Sequence, residues 1–177
     1  LTGNKLGEFK DQLRYIEMGS AFFSKDEKEE LANILPHTRV CMHYGLTEAS
    51  RSAFMEFHAD EEHLASVGKA SPNTDIKVLD ENGAECAVNQ EGEICVKGEH
   101  VTHGYLDLPI EDSFFDDYFR TGDWGYKTED GYIYLISRKK ELINVGGKKV
   151  SPIEVEEQLF KIKGIEDCAC IGVPDEE

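Results

Sequence analysis

The sequence has 177 residues, with 36 acidic against 19 basic side chains and a net charge of -17. That balance repels nucleic acid and anionic membrane surfaces, so a nucleotide ligand would have to be held by local cations, dipoles or a metal. The apolar share of 40% is enough for a packed core, while no apolar run approaches a membrane span and residues 1–10 carry no signal-peptide pattern. Five dispersed cysteines (Cys41, Cys86, Cys95, Cys168, Cys170) include no C-x-x-C pair and read as small hydrophobic residues of a reducing, cytoplasmic compartment. The first residue is not Met and the last five close neither a helix nor a strand, so both ends read as cut.

In chain order, Leu13 to Ile16 is a short apolar run, and Ser24-Lys25-Asp26-Glu27 has the spacing of a capping box. The helix that follows should bury Leu31, Ile34 and Leu35, stop near Pro36, and turn Lys28, Glu29 and Glu30 mostly to water. Arg39 to His43 then supplies a second strand and completes a β-α-β unit. Ligands collect beyond the carboxyl ends of such strands, where Gly19-Ser20 and Tyr44-Gly45-Leu46-Thr47-Glu48 fall.

From Val67 the pattern changes to short alternating runs parted by turn signals: 75–79 before Asp80-Glu81-Asn82-Gly83, and 93–97 after Gln90-Glu91-Gly92. This predicts a small antiparallel β-region. Thr121-Gly122-Asp123 should present the Asp123 carboxylate on a glycine bend, and Asp130-Gly131 should turn into an apolar strand that delivers Arg138-Lys139-Lys140. Residues 142–145 and 148–150 flank Gly146-Gly147 as a hairpin. Ser151-Pro152-Ile153-Glu154 is a second capping box, followed by a helix with Val155, Leu159 and Ile162 as its buried stripe, and 168–173 reads as a last apolar strand.

An acid able to hold a ribose diol and a guanidinium able to hold phosphate, fifteen positions apart across a hairpin, suggest a nucleotide site. Tyr44 to Glu48 adds an aromatic face, a glycine, a hydroxyl and a carboxylate suited to Mg²⁺. Singly, each of these motifs is an ordinary loop, turn or solvated charge run, and Gly146-Gly147 an ordinary hairpin tip. His58 with His63, and His100 with His103, read as surface histidines rather than metal ligands.

Taken in order, Gly19-Ser20-Ala21, Tyr44-Gly45-Leu46-Thr47-Glu48, Gly92-Glu93-Ile94 with Gly104-Tyr105, Tyr118 to Asp123, Ser137 to Ile143 and Gly147 to Glu156 resemble the adenylate-forming superfamily of acyl-CoA synthetases, peptide-synthetase adenylation domains and luciferases. The resemblance implies a mixed α/β and β fold: residues 1–62 as the end of a Rossmann-like α/β subdomain, 63–139 as a small distorted antiparallel β-barrel, and 140–177 as the start of a small α+β lid. It implies that Tyr44 stacks on adenine, Gly45 belongs to the same loop, Thr47 bonds the α-phosphate, Glu48 ligates Mg²⁺, Asp123 holds the ribose hydroxyls, and Arg138 reaches ribose and phosphate. Lys140 matches the hinge of the lid, Gly147 the backbone lining the pantetheine tunnel, and Gly19-Ser20-Ala21 a loop beside adenine and the acyl pocket, with Ser20 where the family more often has glycine. The activity implied is ligation of a carboxylic acid through an acyl-adenylate, with ATP, Mg²⁺ and coenzyme A. A carrier-protein phosphopantetheine is the alternative acceptor, and a noncatalytic nucleotide-binding domain the alternative class. The family's Pro-Lys-Gly phosphate loop and its C-terminal lysine have no counterpart here, so these 177 residues alone are expected to be inactive in adenylation.

Overall fold

In the computed structural model, residues 4–19, 21, 23–107 and 109–174 are described. A one-turn helix α1 (Asn4–Gly7) precedes strand β1 (Tyr15–Met18), helix α2 (Lys25–Ile34), and strands β2 (Arg39–Tyr44), β3 (Ala53–Glu56) and β4 (Lys69–Ala70). These four strands form one sheet in the order β1-β2-β3-β4. β1 and β2 are parallel, with Met18 opposite Met42, as a β-α-β crossover requires. Helix α2 starts where its sequence says: the Ser24 side chain accepts from the Glu27 amide, and Glu27 returns a bond to the Ser24 N–H. Leu31, Leu35, Val40, Met42, Met55, Phe57 and Leu64 pack as its core.

One residue of α2 departs from expectation. Lys28 is buried, because positions 28, 31 and 35 share one helical face and the charge falls on the apolar stripe. Its ammonium donates to the carbonyls of Leu64 and Ser66, both at 2.8 Å, and so fastens the segment after β3 to the helix.

The second sheet comprises β5 (Thr74–Leu79), β6 (Gly92–Gly98), β7 (Phe114–Phe115), β8 (Tyr118–Lys127) and β9 (Ile133–Arg138), all antiparallel. The expected barrel is a curled, half-barrel sheet rather than a closed one. Long strand β8 is its axis: β6 lies on one side throughout, while β7 pairs Phe119 and Tyr118 on the other and β9 takes over from Asp123 onward. Thr121-Gly122-Asp123 sits at that changeover. It is a bulge within the strand, not the end of a β-region, because Arg120 pairs with Cys95 and Trp124 with Glu93, leaving three residues opposite Ile94 alone. Gly122 has φ +73 with open space where a Cβ would point, so the left-handed backbone, not crowding, favours glycine there.

The two sheets share a core at Tyr44, Ala49 and Ala53, which pack with Ile76, Ile94, Val96, Phe119 and Ile133. A second tie is the His63 ring, stacked on Tyr132 at 3.6 Å, with the Tyr132 hydroxyl on Asp60.

Beyond β9 a 3-10 turn at Lys139–Glu141 leads to the hairpin of β10 (Ile143–Val145) and β11 (Lys148–Val150), then to α3 (Pro152–Phe160). Gly146 and Gly147 both have positive φ (56 and 83), the requirement of a tight two-residue hairpin turn. Ser151 caps α3 by accepting from the Glu154 amide, and its hydroxyl donates to the Ile136 carbonyl; only the serine half of the second capping box forms. Two expectations fail in this region. Helix α3 stops before Ile162, which is 54% exposed, so the stripe is reduced to half-buried Val155 and Leu159. Residues 168–173 form no strand, since the Cys170 amide bonds to the Glu156 carboxylate instead of a neighbouring ladder.

Candidate active site

The carboxyl end of β2 and the bulge of β8 meet. Tyr44 is buried, and its hydroxyl donates to Asp123 Oδ2 at 2.6 Å across 79 positions of sequence. Asp123 lies directly opposite Arg138 in the β8–β9 ladder, and the guanidinium Nη1 stands 3.0 Å from Asp123 Oδ1 and donates to the Thr121 carbonyl at 3.1 Å. Thr121 in turn accepts the Asp123 amide and donates to the carbonyl of Ile94, which fixes the bulge. Burial pushes the Asp123 carboxyl up, opposed by the Tyr44 hydroxyl and the Arg138 charge. Burial also pushes the Tyr44 phenol well up, and the neighbouring Asp123 charge adds to it, so the tyrosine stays a donor.

The loop after Tyr44 closes on itself: the Leu46 amide bonds to the Ala49 carbonyl and the reverse, and a Cβ on Gly45 would lie 2.5 Å from the Arg51 nitrogen. Gly45 therefore answers to the loop's own backbone. Glu48 is held by the Tyr105 hydroxyl at 2.7 Å, and its carbonyl accepts the Thr102 amide. Thr47 is exposed beside it.

These elements wall a cleft of about 580 Å³ lined by Leu46, Glu48, Arg120, Gly122, Arg138 and Lys140, among others. Lys139 and Glu141 line it as well; Arg138 is paired to Asp123, and Arg120 and Lys139 to Glu93 beneath the cleft, while exposed Lys140 makes no ion pair with the described residues. A larger cleft of about 790 Å³ runs along Asp75, Lys97, Asp117 and Tyr118. Its Tyr118 is bonded to Asp75 and its Lys97 to Asp117, and none of the site residues expected from the sequence lines it, so it is the poorer candidate.

Of the residues singled out in the sequence, Glu48, Arg138 and Lys140 line the smaller cleft, and Asp123 and Tyr44 are bonded beneath Arg138; Gly45 and Thr47 flank lining residue Leu46 in the chain and do not themselves line it. Gly19 closes the carboxyl end of β1, where a Cβ would strike the His43 ring at 2.2 Å, and Ala21 is exposed near it. Ser20 lies outside the described residues. Gly147 is at the hairpin tip with nothing within 4 Å of a would-be Cβ, and it does not line the cleft. Arg120, Lys139 and Tyr105, which fall within the sequence motifs but had no role there, also line the cleft, and the buried carboxylate Glu93 lies beneath it. Alternation along β8 places Arg120 on the face of Gly122, which was the available signal.

A β-α-β unit joined to a curled antiparallel sheet, with a tyrosine–aspartate–arginine floor under a cationic cleft, defines the class. Residues 3–106 match the AMP-binding enzyme family, and the chain belongs to it. It is 35% identical over 133 residues to the long-chain-fatty-acid–CoA ligase of Salmonella typhimurium, covering 74% of this chain and 24% of that protein. It is 39% identical over 138 residues to the 2-succinylbenzoate–CoA ligase of Enterococcus faecalis, covering 77% and 28%. Among solved structures, the o-succinylbenzoate-CoA synthetase MenE of Bacillus subtilis with ATP and magnesium superposes with a TM-score of 0.84 at 28% identity, covering 97% of this chain and 38% of that one. The chain thus spans about a quarter of the length of the curated relatives it matches.

Proposed function

We propose that the chain carries the nucleotide floor and hinge of an ATP-dependent ligase that converts a carboxylic acid to an acyl-adenylate and then to a coenzyme A thioester. The observation that carries this reading is Asp123 paired to both Tyr44 and Arg138 at the base of the cationic cleft. A carboxylate has about four acceptor positions. Tyr44 and Arg138 use two, which leaves two for the hydroxyls of a ribose. Tyr44 would stack on adenine, Thr47 would bond the α-phosphate through its hydroxyl, and Arg138 would reach from ribose towards phosphate. Gly19 and Ala21 would border the adenine and acyl end.

Magnesium fits the donor set. Glu48 keeps one oxygen free of Tyr105, and no cluster of three His, Cys, Asp or Glu side chains able to hold a metal occurs among the described residues. One carboxylate completed by water and phosphate oxygens is the habit of Mg²⁺. When bound it would neutralise phosphate charge as pyrophosphate leaves. Of the cations lining the same cleft, Arg138 supplies fixed positive charge towards the phosphates, whereas Arg120 and Lys139 are taken up by Glu93 beneath it. In the first step a substrate carboxylate oxygen attacks the α-phosphorus and the bond to pyrophosphate breaks. In the second a thiolate attacks the acyl carbon and AMP leaves.

The division into residues 1–62, 63–139 and 140–177 belongs to this reading, with Lys140 as the pivot that exchanges lid faces and brings Gly147 to the pantetheine arm. Carboxylate, ATP and coenzyme A are the partners, with a carrier protein as alternative thiol donor, and the cytoplasm is the expected compartment. The test is carboxylate-dependent exchange of pyrophosphate into ATP by the complete product of the reading frame that encodes this chain. Asp123→Ala should raise KM for ATP by about a hundredfold, the loss of two charge-assisted hydrogen bonds. An unchanged KM, or no exchange with any carboxylate by the unsubstituted protein, would sink the proposal.

A further inference from the structure

Glu93 lies in β6 with a side chain only 3% exposed, under the cleft rather than in it. Its Oε2 accepts from Lys139 Nζ at 2.8 Å, from Arg120 Nη2 at 3.0 Å and from Arg120 Nε at 3.3 Å. The bulge makes this convergence: Glu93 is paired with Trp124 and Cys95 with Arg120, so the three residues between them draw Arg120 and the end of β9 to the same carboxylate. Burial pushes the Glu93 carboxyl up, but the bonds from Lys139 and Arg120 outweigh it and hold it below its ordinary value. A carboxylate is expensive to bury, and removing one partner strands the others.

The two cations come from different working parts. Both line the cleft, but Arg120 stands at the edge of the β8 bulge, whereas Lys139 follows β9 and immediately precedes Lys140. Arg138 is tied to Asp123 and Lys139 to Glu93, while exposed Lys140 makes no ion pair with the described residues. The geometry points to Glu93 as the positioning residue that fixes the stationary side of the hinge, so that rotation begins at Lys140 with Arg120 and Lys139 held in register. This inference rests on the proposed two-step reaction and on Lys140 as its pivot.

The test uses the complete product and measures adenylate formation and thioester formation separately in Glu93→Gln, Lys139→Met and the double variant. Lys139→Met leaves Arg120 on Glu93, so KM for ATP should stay within about twofold while thioester formation slows about tenfold. Glu93→Gln should show the same thioester loss, and the double variant no more than either single change, because one contact is being removed. Equal loss of both half-reactions, or additive losses, would overturn the assignment. A second measurement does not depend on activity: amide exchange at residues 139–142 should be about tenfold faster in Glu93→Gln, a change in local opening rather than in global stability. Unchanged exchange there overturns the clamp. Absence of adenylation in the unsubstituted protein would refute the proposed function alone, and the exchange result would still decide the clamp.

Discussion

Lys28 and Glu93 are both buried charges, and their surroundings treat them differently. Glu93 faces two cations, whereas Lys28 has only carbonyl oxygens and the Met55 sulfur within reach. Burial pulls the Lys28 ammonium down to about 8 from its ordinary 10.5. Between those values the unfolded chain binds the extra proton, so stability rises as pH climbs through the window, and the full cost of the buried charge is present below pH 8. The rise should be on the order of 2–3 kcal/mol. Lys28→Met should flatten it, read as the difference in denaturation midpoint between the two proteins from pH 7.5 to 10. Cys41, Cys86, Cys95 and Cys168, all raised by burial from their ordinary 9.0, lower stability in the same window, but equally in both proteins, so the difference isolates Lys28. A parallel slope in both proteins would show that Lys28 titrates normally. In the sequence, Lys28-Glu29-Glu30 resembled a solvated run; the phase it shares with Leu31 and Leu35 was visible, but nothing local announced the Leu64 and Ser66 carbonyls that make burial tolerable.

At the scale of elements, the caps were legible and the bulge was not. Ser24 and Ser151 announce helices because a hydroxyl before an orphan amide is a local requirement. Thr121-Gly122-Asp123 announced a glycine-dependent bend, yet whether it ends a strand or bulges within one depends on the count of residues in β6 opposite it, which is non-local. The same holds for residues 168–173: their apolar pattern suits a strand, but the Cys170 amide is taken by Glu156. Ser151 shows a local signal with a second use, since its buried hydroxyl both caps α3 and donates to the Ile136 carbonyl at 2.7 Å. Ser151→Ala should therefore cost more than a surface cap, about 2–3 kcal/mol in chemical denaturation, because the cap is lost and the carbonyl is left without its donor. Ser24→Ala, at an exposed helix start, provides the comparison at about 1 kcal/mol. Equal costs at the two sites would mean that the bond to Ile136 contributes nothing.

Across the whole molecule, the floor of the cleft is assembled from segments 79 positions apart and the last elements are docked by few contacts. Ser151 on Ile136 is one, and the Lys149 ammonium 3.7 Å over the Trp124 ring, with Glu81 beside it, is another. The contact beneath Lys139 belongs to the stationary side. On the proposed reading these elements are a lid, which so lightly held could exchange faces about a free connection, and Lys140 is the first residue past the Asp123 and Glu93 anchors. Proline at that position fixes φ near -65° and restricts the preceding residue, leaving one setting of the pivot. If the proposed two-step reaction holds, Lys140→Pro in the complete product should leave adenylate formation within about threefold and slow thioester formation at least about tenfold, since on that reading only the second step needs the other lid face. The substitution should also keep Lys149 over Trp124 throughout turnover. If both half-reactions fell together, the 3-10 turn at Lys139–Glu141 would be a structural joint whose distortion reaches the nucleotide floor through Arg138, and the pivot would have to be sought further along, between Glu141 and β10.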